Sequence, residues 1–348
     1  METISTRRAD NFHVHLRSWR PDDPDYLMPL VLPFTAKVFG RAIAMPNLRK
    51  NNGITTAPQM IEYKEAIIIE CTKQGWINFE PLMPIKITPE TTPDRIKKAK
   101  SIEAIGGKLY PNGVTTNSEG GVTDFKALYP TFDAMEKCEL PLLTHSELPG
   151  ILDLYAEQAF IPILDMIVKN FPKLKIVVEH LSSKAMVDYV LQAPQNVAAT
   201  ITPQHLILTC RDIGNPHNFC KPPAKTFADL EAIIKAATSG NPKFFFGSDS
   251  APHWRHLKES VKDLAGVFSD PVALPVIFKV FEEQNALDKL ENFTSVFGAQ
   301  FYGLPLNQAQ TILKKEKWVV PASYVADNGY EVVPFLAGQE LEWQVVTD

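Results

Sequence analysis

The feature that most constrains the fold is a regular alternation of short apolar, β-rich segments with longer amphipathic segments. Such an alternation is typical of parallel sheets in which a helix follows each strand. Eight strands are predicted, at residues 12–17, 41–47, 77–85, 105–110, 140–147, 175–182, 197–208 and 244–250. Helices are predicted between most of them, at residues 57–74, 92–101, 125–137, 156–170, 183–191 and 227–237. Eight such units are the number that a (β/α)8 TIM barrel requires.

An open, doubly wound sheet is the structural alternative, but the sequence has neither a G-x-G-x-x-G motif nor a P-loop to favour it. We therefore expect an α/β protein with one domain over residues 1–348, whose barrel strands occupy about 12–253. The segment from about 270 to 348 carries predicted helices at 273–286 and 290–297 and strand-like pieces at 318–320, 330–335 and 341–346. These pieces are too short for a core of their own, so we expect them to pack on the barrel.

Composition excludes several classes of partner. The net charge is −5 with both signs mixed along the chain, which argues against nucleic acid and membrane surfaces. Four cysteines are present without a C-x-x-C pair, which favours free thiols in a reducing compartment. The polar N-terminus does not resemble a signal peptide, and no apolar run approaches the ~20 residues that span a bilayer. We therefore expect a cytoplasmic protein.

Polar residues occur at the carboxyl ends of the predicted strands. In a barrel these ends converge on one face, where active sites lie. The residues are His13, His15, Asn47, Lys108, His145, His180 and Asp249. A single histidine of this kind is more often a buried core residue, and a single aspartate is more often a helix cap. Seven such residues at matching positions indicate a functional site.

The residue types point to metal chemistry. Four histidines and one aspartate are too many ligands for one four-coordinate zinc ion. They suit two ions ~3.5–4 Å apart if a further group bridges them. A lysine carbamate offers two oxygens for this role, and Lys108 follows Gly106 and Gly107, which we expect to leave room for close approach. Arg17 shares a strand face with both His13 and His15 and is suited to bind a carboxylate.

Nine short motifs, taken together, are highly specific. With them the chain resembles the dihydroorotases of the amidohydrolase superfamily, in particular the shorter bacterial type II group, over nearly its whole length. The motifs are Phe12–Arg17, Ala44–Asn47, Gly107–Pro111, Val114–Ser118, Leu143–Glu147, Val178–Leu181, Gly247–His253, Gln300–Leu304 and Val333–Gly338.

The resemblance implies two Zn²⁺ ions per subunit, a homodimer and a small-molecule substrate. His13, His15 and Asp249 would bind the first zinc ion, and His145 and His180 the second, with Lys108 bridging them as N6-carboxylysine. Substrate contacts are implied for Arg17, Asn47, His145, Lys221, His253 and Ala265, and a mobile loop for Thr115 and Thr116. One departure concerns Lys221, which stands where an apolar residue is expected in the family.

The implied reaction is the reversible cyclisation of N-carbamoyl-L-aspartate to L-dihydroorotate and water, in the synthesis of UMP (EC 3.5.2.3). In the hydrolytic direction a metal-bridging hydroxide would attack the ring amide, with Asp249 as general acid and base.

Two alternatives stay open at this point. Another cyclic amidohydrolase could act on hydantoins, dihydropyrimidines or allantoin, but these substrates lack the carboxylate that Arg17 would bind. A non-catalytic barrel could serve as an assembly partner, but it should have lost metal ligands that this chain retains.

Overall fold

The computed structural model describes residues 2–49, 53–260 and 264–346, and within these ranges it has the predicted α/β composition. The strands, in chain order, are β1 (Thr3–Arg7), β2 (Asp10–Val14), β3 (Arg41–Ala44), β4 (Glu80–Leu82), β5 (Pro84–Ile87), β6 (Gly106–Leu109), β7 (Leu142–Thr144), β8 (Ile176–Val178), β9 (Val197–Ile201), β10 (Phe244–Phe246), β11 (Gln310–Val319), β12 (Tyr324–Val325), β13 (Glu331–Val332) and β14 (Glu340–Val346). The α-helices are α1 (Met28–Ala36), α2 (Ala57–Lys73), α3 (Pro93–Ser101), α4 (Tyr129–Lys137), α5 (Asp153–Asn170), α6 (Lys184–Gln192), α7 (Phe227–Ala237), α8 (Arg255–Lys258), α9 (Ala273–Glu283) and α10 (Phe297–Tyr302).

Parallel pairing closes strands β2 to β10 into a barrel. Strands β2, β3 and β4 form one parallel group, and β5 to β10 form another. Only Met83 separates β4 from β5, so these two occupy one barrel position and the total is eight. The ring closes where the Asp249 amide donates to the His13 carbonyl and the His15 amide donates to the Ser250 carbonyl, each at 2.9 Å. The predicted (β/α)8 arrangement is confirmed.

Two of the apolar clusters in the described structure form the core of the barrel. The larger cluster fills the space between the strands and the surrounding helices. The smaller one fills the barrel interior with side chains such as Phe12 and Phe245, each no more than 1% exposed. Helix α10 covers this end of the barrel, because Tyr302 stacks on Phe12 with ring centroids 5.2 Å apart. Helix α10 and these interior side chains form a plug that closes this end of the barrel. The barrel is open at the other end, at the carboxyl ends of the strands, where the polar residues lie.

The two ends of the described chain meet in a separate sheet. Strand β1 pairs antiparallel with β11, which pairs antiparallel with β14. The buried Trp343 of β14 packs 5.7 Å from the Phe278 ring of α9, and its indole donates to Glu282 at 3.0 Å. That residues 1–348 form one domain stays a prediction, and residues 347 and 348 lie outside the described ranges.

Several element bounds were wrong. Strand β11 is ten residues long, where a piece at 318–320 was expected; its run of Lys and Glu hides the alternation that marks a strand. Helix α1 was missed, because it contains two prolines and little polar surface. The helix expected at 290–297 is a π-helical turn, Asn292–Val296, followed by α10. In the part of the chain that the structure describes, no helix is both long and apolar enough to cross a membrane.

We predict that Gly298→Ala lowers the free energy of unfolding by about 1–3 kcal/mol, the usual effect of overpacking a core. A Cβ at this position would lie 2.1 Å from Cε2 of the buried Phe12 ring, which the strand backbone holds in place. Chemical denaturation measures the change. Gly214→Ala is the matched control, since nothing lies within 4 Å of its built Cβ. Equal stability of the two variants would contradict this description of the barrel plug.

Candidate metal centre and active site

Three predicted ligands from opposite ends of the barrel sequence meet at one point. The Nε2 atoms of His13 and His15 lie 3.3 and 3.2 Å from Oδ1 of Asp249. Two atoms bound tetrahedrally to one zinc ion, with bonds of ~2.0–2.1 Å, lie about 3.3 Å apart. The spacing of the three side chains therefore suits a single metal ion, and all three are buried.

Two further histidines complete the cluster. The His145 and His180 rings are 4.7 Å apart, centroid to centroid, and the His180 ring is 5.1 Å from that of His13. Within the described structure, Nδ1 of His180 is buried without a hydrogen-bond partner. A buried, unpartnered imidazole nitrogen has a lone pair or proton available, and its desolvation is costly unless a ligand satisfies it.

Two glutamates orient the histidine rings. Nδ1 of His13 lies 2.7 Å from Oε2 of Glu179, and Nε2 of His145 lies 2.7 Å from Oε2 of Glu147. When these carboxylates are ionised they only accept, so the facing ring nitrogens carry hydrogen and the opposite nitrogens keep a lone pair. This is the carboxylate–histidine arrangement that orients metal ligands in proteins.

Lys108 lies on β6, near enough to the cluster for its charge to act on His13 and Asp249. Its side chain is fully buried, and within the described residues its Nζ has no hydrogen bond. Burial lowers the pKa of Lys108 to about 8, although Glu179 and Asp249 oppose the shift. The lowered pKa favours the neutral amine, which is the form that reacts with CO₂.

The two glycines before Lys108 leave room for the close approach of neighbouring elements. A Cβ on Gly107 would lie 2.8 Å from Cδ1 of Ile87 and from Cε of Met135. The absence of a side chain therefore allows strand β6 to pack closely against its neighbours, as expected.

Burial and neighbouring charges set the protonation of the ligands. Burial lowers the pKa of His13 and of His180 well below the usual value, with further lowering by nearby cations. Burial alone would raise the pKa of Asp249, but His13, His15 and Lys108 lower it to about 2. Burial raises the pKa of Glu179 to about 7. Neutral imidazoles beside an ionised aspartate are the states that bind a metal cation.

The backbone is strained where the strands end. Arg17, His180 and Asp249 have φ angles of 61°, 46° and 45°, in the left-handed region that side chains rarely adopt. Strain of this kind persists only where the surrounding structure enforces it, and it is common at functional sites. Here it turns each side chain from the strand into the barrel mouth.

Beside the candidate metal ligands lies a buried arginine whose guanidinium is suited to bind an anion. Nε of the buried Arg17 donates to the Pro252 carbonyl at 2.8 Å, and its Nη2 lies 3.0 Å from Nε2 of His253. Burial lowers the pKa of His253 well below its usual value, and the positive charge of Arg17 lowers it further, so that the imidazole is neutral. The Arg17 guanidinium is fixed in orientation by these contacts and keeps donors for a ligand. Oδ1 of Asn47, which lines the same cavity, is buried without a partner in the described structure.

Most of the predicted site residues line one cavity. The members are His13, His15, Arg17, Asn47, Thr115, Thr116, His145, His180, Lys221, Asp249 and Ala265. Thr116 closes one side, because its Oγ1 donates to the Ala265 carbonyl at 3.2 Å. Lys221 lies at the edge, where its ammonium pairs with Asp153 at 2.5 Å. The side-chain charge of Lys221 is thus directed to α5 and away from the metal ligands.

Sequence reasoning missed several residues of the site. Glu147 and Glu179 orient the histidines, and Tyr110, Ala251 and Gly266 also line the cavity. For the glutamates a signal was present, since one lies two residues after His145 and the other directly before His180. Tyr110 and Gly266 gave no comparable signal, because loop and backbone geometry brings them to the cavity.

Comparisons with known proteins agree on one family. A dihydroorotase of Shewanella halifaxensis is 44% identical over 352 residues, which cover 99% of each chain. A crystal structure of dihydroorotase from Saccharomyces cerevisiae, in complex with 5-fluoroorotic acid, superposes with a TM-score of 0.91 at 38% identity, over 100% of this chain and 99% of that one. A crystal structure of dihydroorotase from Campylobacter jejuni superposes with a TM-score of 0.89 at 36% identity, over 99% of this chain and 97% of that one. No protein-family model matches the chain.

We predict that Glu179→Gln weakens metal binding 10- to 100-fold, the usual cost of losing a carboxylate that orients a ligating histidine. Competition with a chelator measures the affinity. Glu157→Gln is the control, because Glu157 is equally buried but hydrogen-bonds to Ser182 instead of a histidine. An equal loss in both variants, or none in Glu179→Gln, would show that Glu179 does not act through His13.

Proposed function

The chain belongs to the dihydroorotase family of cyclic amidohydrolases, and we propose that the histidine cluster at its barrel mouth holds the two zinc ions with which it acts. Its reaction is the reversible cyclisation of N-carbamoyl-L-aspartate to L-dihydroorotate and water, in pyrimidine biosynthesis. The observation that best supports a two-ion centre is the convergence of four imidazoles, one carboxylate and an unpartnered buried lysine beside a fixed arginine.

The donor set suits two ions. His13, His15 and Asp249 would hold one ion, His145 and His180 the other, and Lys108 as N6-carboxylysine would bridge them. The unpartnered Nζ of Lys108 and Nδ1 of His180 support this assignment, because both polar atoms are buried at a cost that ligand binding would remove. When bound, the ions would lower the pKa of a water molecule and polarise the ring carbonyl.

The remaining residues bind substrate and move protons. We propose that Asp249 takes the proton of the attacking water and passes it to the departing ring nitrogen in hydrolysis, with the reverse in synthesis. Arg17, Asn47 and His253 would hold the substrate carboxylate, while His145 and the backbone near Lys221 and Ala265 would border the ring. Because the Arg17 guanidinium is fixed in orientation, pyrimidine carboxylates of the kind in the yeast structure are the ligands that suit this cavity best.

Thr115 and Thr116 would belong to a lid that excludes water during the reaction. The hydrogen bond from Thr116 to Ala265 supports this role, because it joins the lid to the far side of the cavity.

We further propose a homodimer in the cytoplasm. Apolar side chains at the start of α5 offer a surface for association, since Leu152 and Tyr155 are 66% and 58% exposed. The four cysteines of the chain are unpaired in the described structure, as expected in a reducing compartment.

We predict that Asp249→Asn reduces turnover of L-dihydroorotate at least 10²- to 10⁴-fold, the usual contribution of a general acid–base group, with any loss of metal adding to it. The assay uses zinc-loaded enzyme at mildly alkaline pH, with metal content measured in parallel. Wild-type enzyme that binds zinc but does not turn over dihydroorotate would contradict the function. Undiminished turnover in the variant would contradict the proposed role of Asp249 but not the function of the enzyme.

We predict that Arg17→Met raises KM for L-dihydroorotate about 10- to 100-fold and changes kcat much less, because hydrogen bonds to a charged ligand contribute about 1.5–3 kcal/mol. Arg20→Met is the matched control, since its guanidinium pairs with Glu62 at the surface, at 2.7 Å. An unchanged KM in Arg17→Met would place the carboxylate elsewhere and reopen the alternative of a hydantoin or dihydropyrimidine substrate.

A further inference from the structure

Lys86 is a buried cation that the proposed reaction does not use. It lies on β5, is 7% exposed, and does not line the cavity. Its Nζ donates to the backbone carbonyl of Asn117 at 3.0 Å and lies 5.8 Å from the centre of the Tyr110 ring. Among the described residues, no carboxylate is within ion-pair distance of it. A buried ammonium with so few partners requires an explanation.

The acceptor of this hydrogen bond belongs to the lid segment, which we define as residues 113–121. Hydrogen bonds within the segment hold its shape. Ser118 Oγ donates to the Thr115 carbonyl at 2.6 Å, and the Gly121 amide donates to the Ser118 carbonyl at 3.0 Å. Such a segment can keep its own fold while it moves against the barrel.

Among the described residues, four hydrogen bonds fix the tip of the lid segment to the barrel. Three are between neutral groups: Thr116 Oγ1 to the Ala265 carbonyl at 3.2 Å, the Asn47 amide side chain to the Thr116 carbonyl at 3.2 Å, and the Asn117 side chain to the Asn47 carbonyl at 3.3 Å. The fourth is the bond from Lys86, which alone of these four involves a charged donor. Charge-assisted hydrogen bonds are roughly twice as strong as neutral ones.

A second property of the lid segment favours the same contact. Asn117 has a φ of 59°, a left-handed conformation that asparagine tolerates better than most residues. The carbonyl of this strained residue is the one that Lys86 binds. The carboxylate of Glu119, also in the lid segment, attracts the ammonium and raises the pKa of Lys86 against the larger lowering by burial.

We propose that Lys86 is a positioning residue that docks the lid segment over the active site through its hydrogen bond to the Asn117 carbonyl. Lys86 on β5 lies opposite Lys108 on the neighbouring strand β6. These two adjacent strands therefore carry both a residue of the proposed metal centre and the residue that would anchor the lid segment. The inference rests on the proposed function, since the value of docking is that it holds Thr115 and Thr116 against a substrate.

The test compares Lys86→Met with wild-type enzyme. We expect kcat/KM for L-dihydroorotate to fall about tenfold, mostly through KM, because the closed lid is less populated when the charged hydrogen bond is lost. Amide hydrogen exchange in residues 113–121 of substrate-free enzyme should accelerate by a similar factor. Lys97→Met is the matched control; this lysine lies on the surface of α3 and pairs with Asp94.

Two further variants separate docking from folding. Lys86→Arg keeps charge and donors and should restore both readouts to within about threefold of wild type. Glu119→Gln removes an exposed charge of the lid segment that attracts the Lys86 ammonium, and it leaves the barrel unchanged. This variant tests docking if Lys86→Met unfolds. We expect about a twofold rise in hydrogen exchange of the lid segment.

Hydrogen exchange does not depend on turnover, so the outcomes are distinct. If Lys86→Met loosens the lid segment in an enzyme that fails to process dihydroorotate, docking stands and the function falls. If turnover is present and neither KM nor exchange changes in Lys86→Met, the docking role is overturned. A loss of kcat with unchanged exchange overturns it as well.

Discussion

The site depends on the closure of the barrel between its first and last strands. Two backbone hydrogen bonds, from Asp249 to His13 and from His15 to Ser250, join β2 to the chain just after β10. They bring the aspartate beside the two histidines, which are far away in sequence. The neighbouring Gly247 allows this close approach, because a Cβ there would lie 3.0 Å from Cβ of His13. Without closure of the barrel, these polar residues would lie at the ends of separate strands and would not form one site.

The protein maintains this centre at an energetic cost. Buried polar groups without partners destabilise a fold, and Lys108 and His180 both carry one in the described structure. Left-handed backbone at three strand ends adds strain. The apolar plug of the barrel and the helices around it supply the compensating burial. Binding of metal ions would satisfy the same polar atoms, so we expect it to stabilise the folded state as well as to enable the reaction.

The barrel and the clustering of polar residues at its mouth could be predicted from sequence because both follow from local pattern. Strand periodicity and polar strand ends are visible along the chain, and barrel geometry converts them into neighbours. Contacts that depend on side-chain reach could not be predicted in the same way. Glu147 and Glu179 act through histidines, and Lys86 acts through a carbonyl on a distant loop. The charged strand β11 was predicted only at its end, and the proline-containing helix α1 was missed, because their residue types contradict the local rules.

The most direct test of a two-ion centre bridged by Lys108 is carbon-13 NMR of the zinc-loaded enzyme equilibrated with ¹³C-bicarbonate. A centre bridged by Lys108 should give one carbamate resonance per chain, which persists while zinc is bound and disappears when a chelator removes the zinc. Lys108→Ala should lack the resonance. A protein that binds two zinc ions per chain without any carbamate resonance would contradict the bridge and require another residue to join the ions.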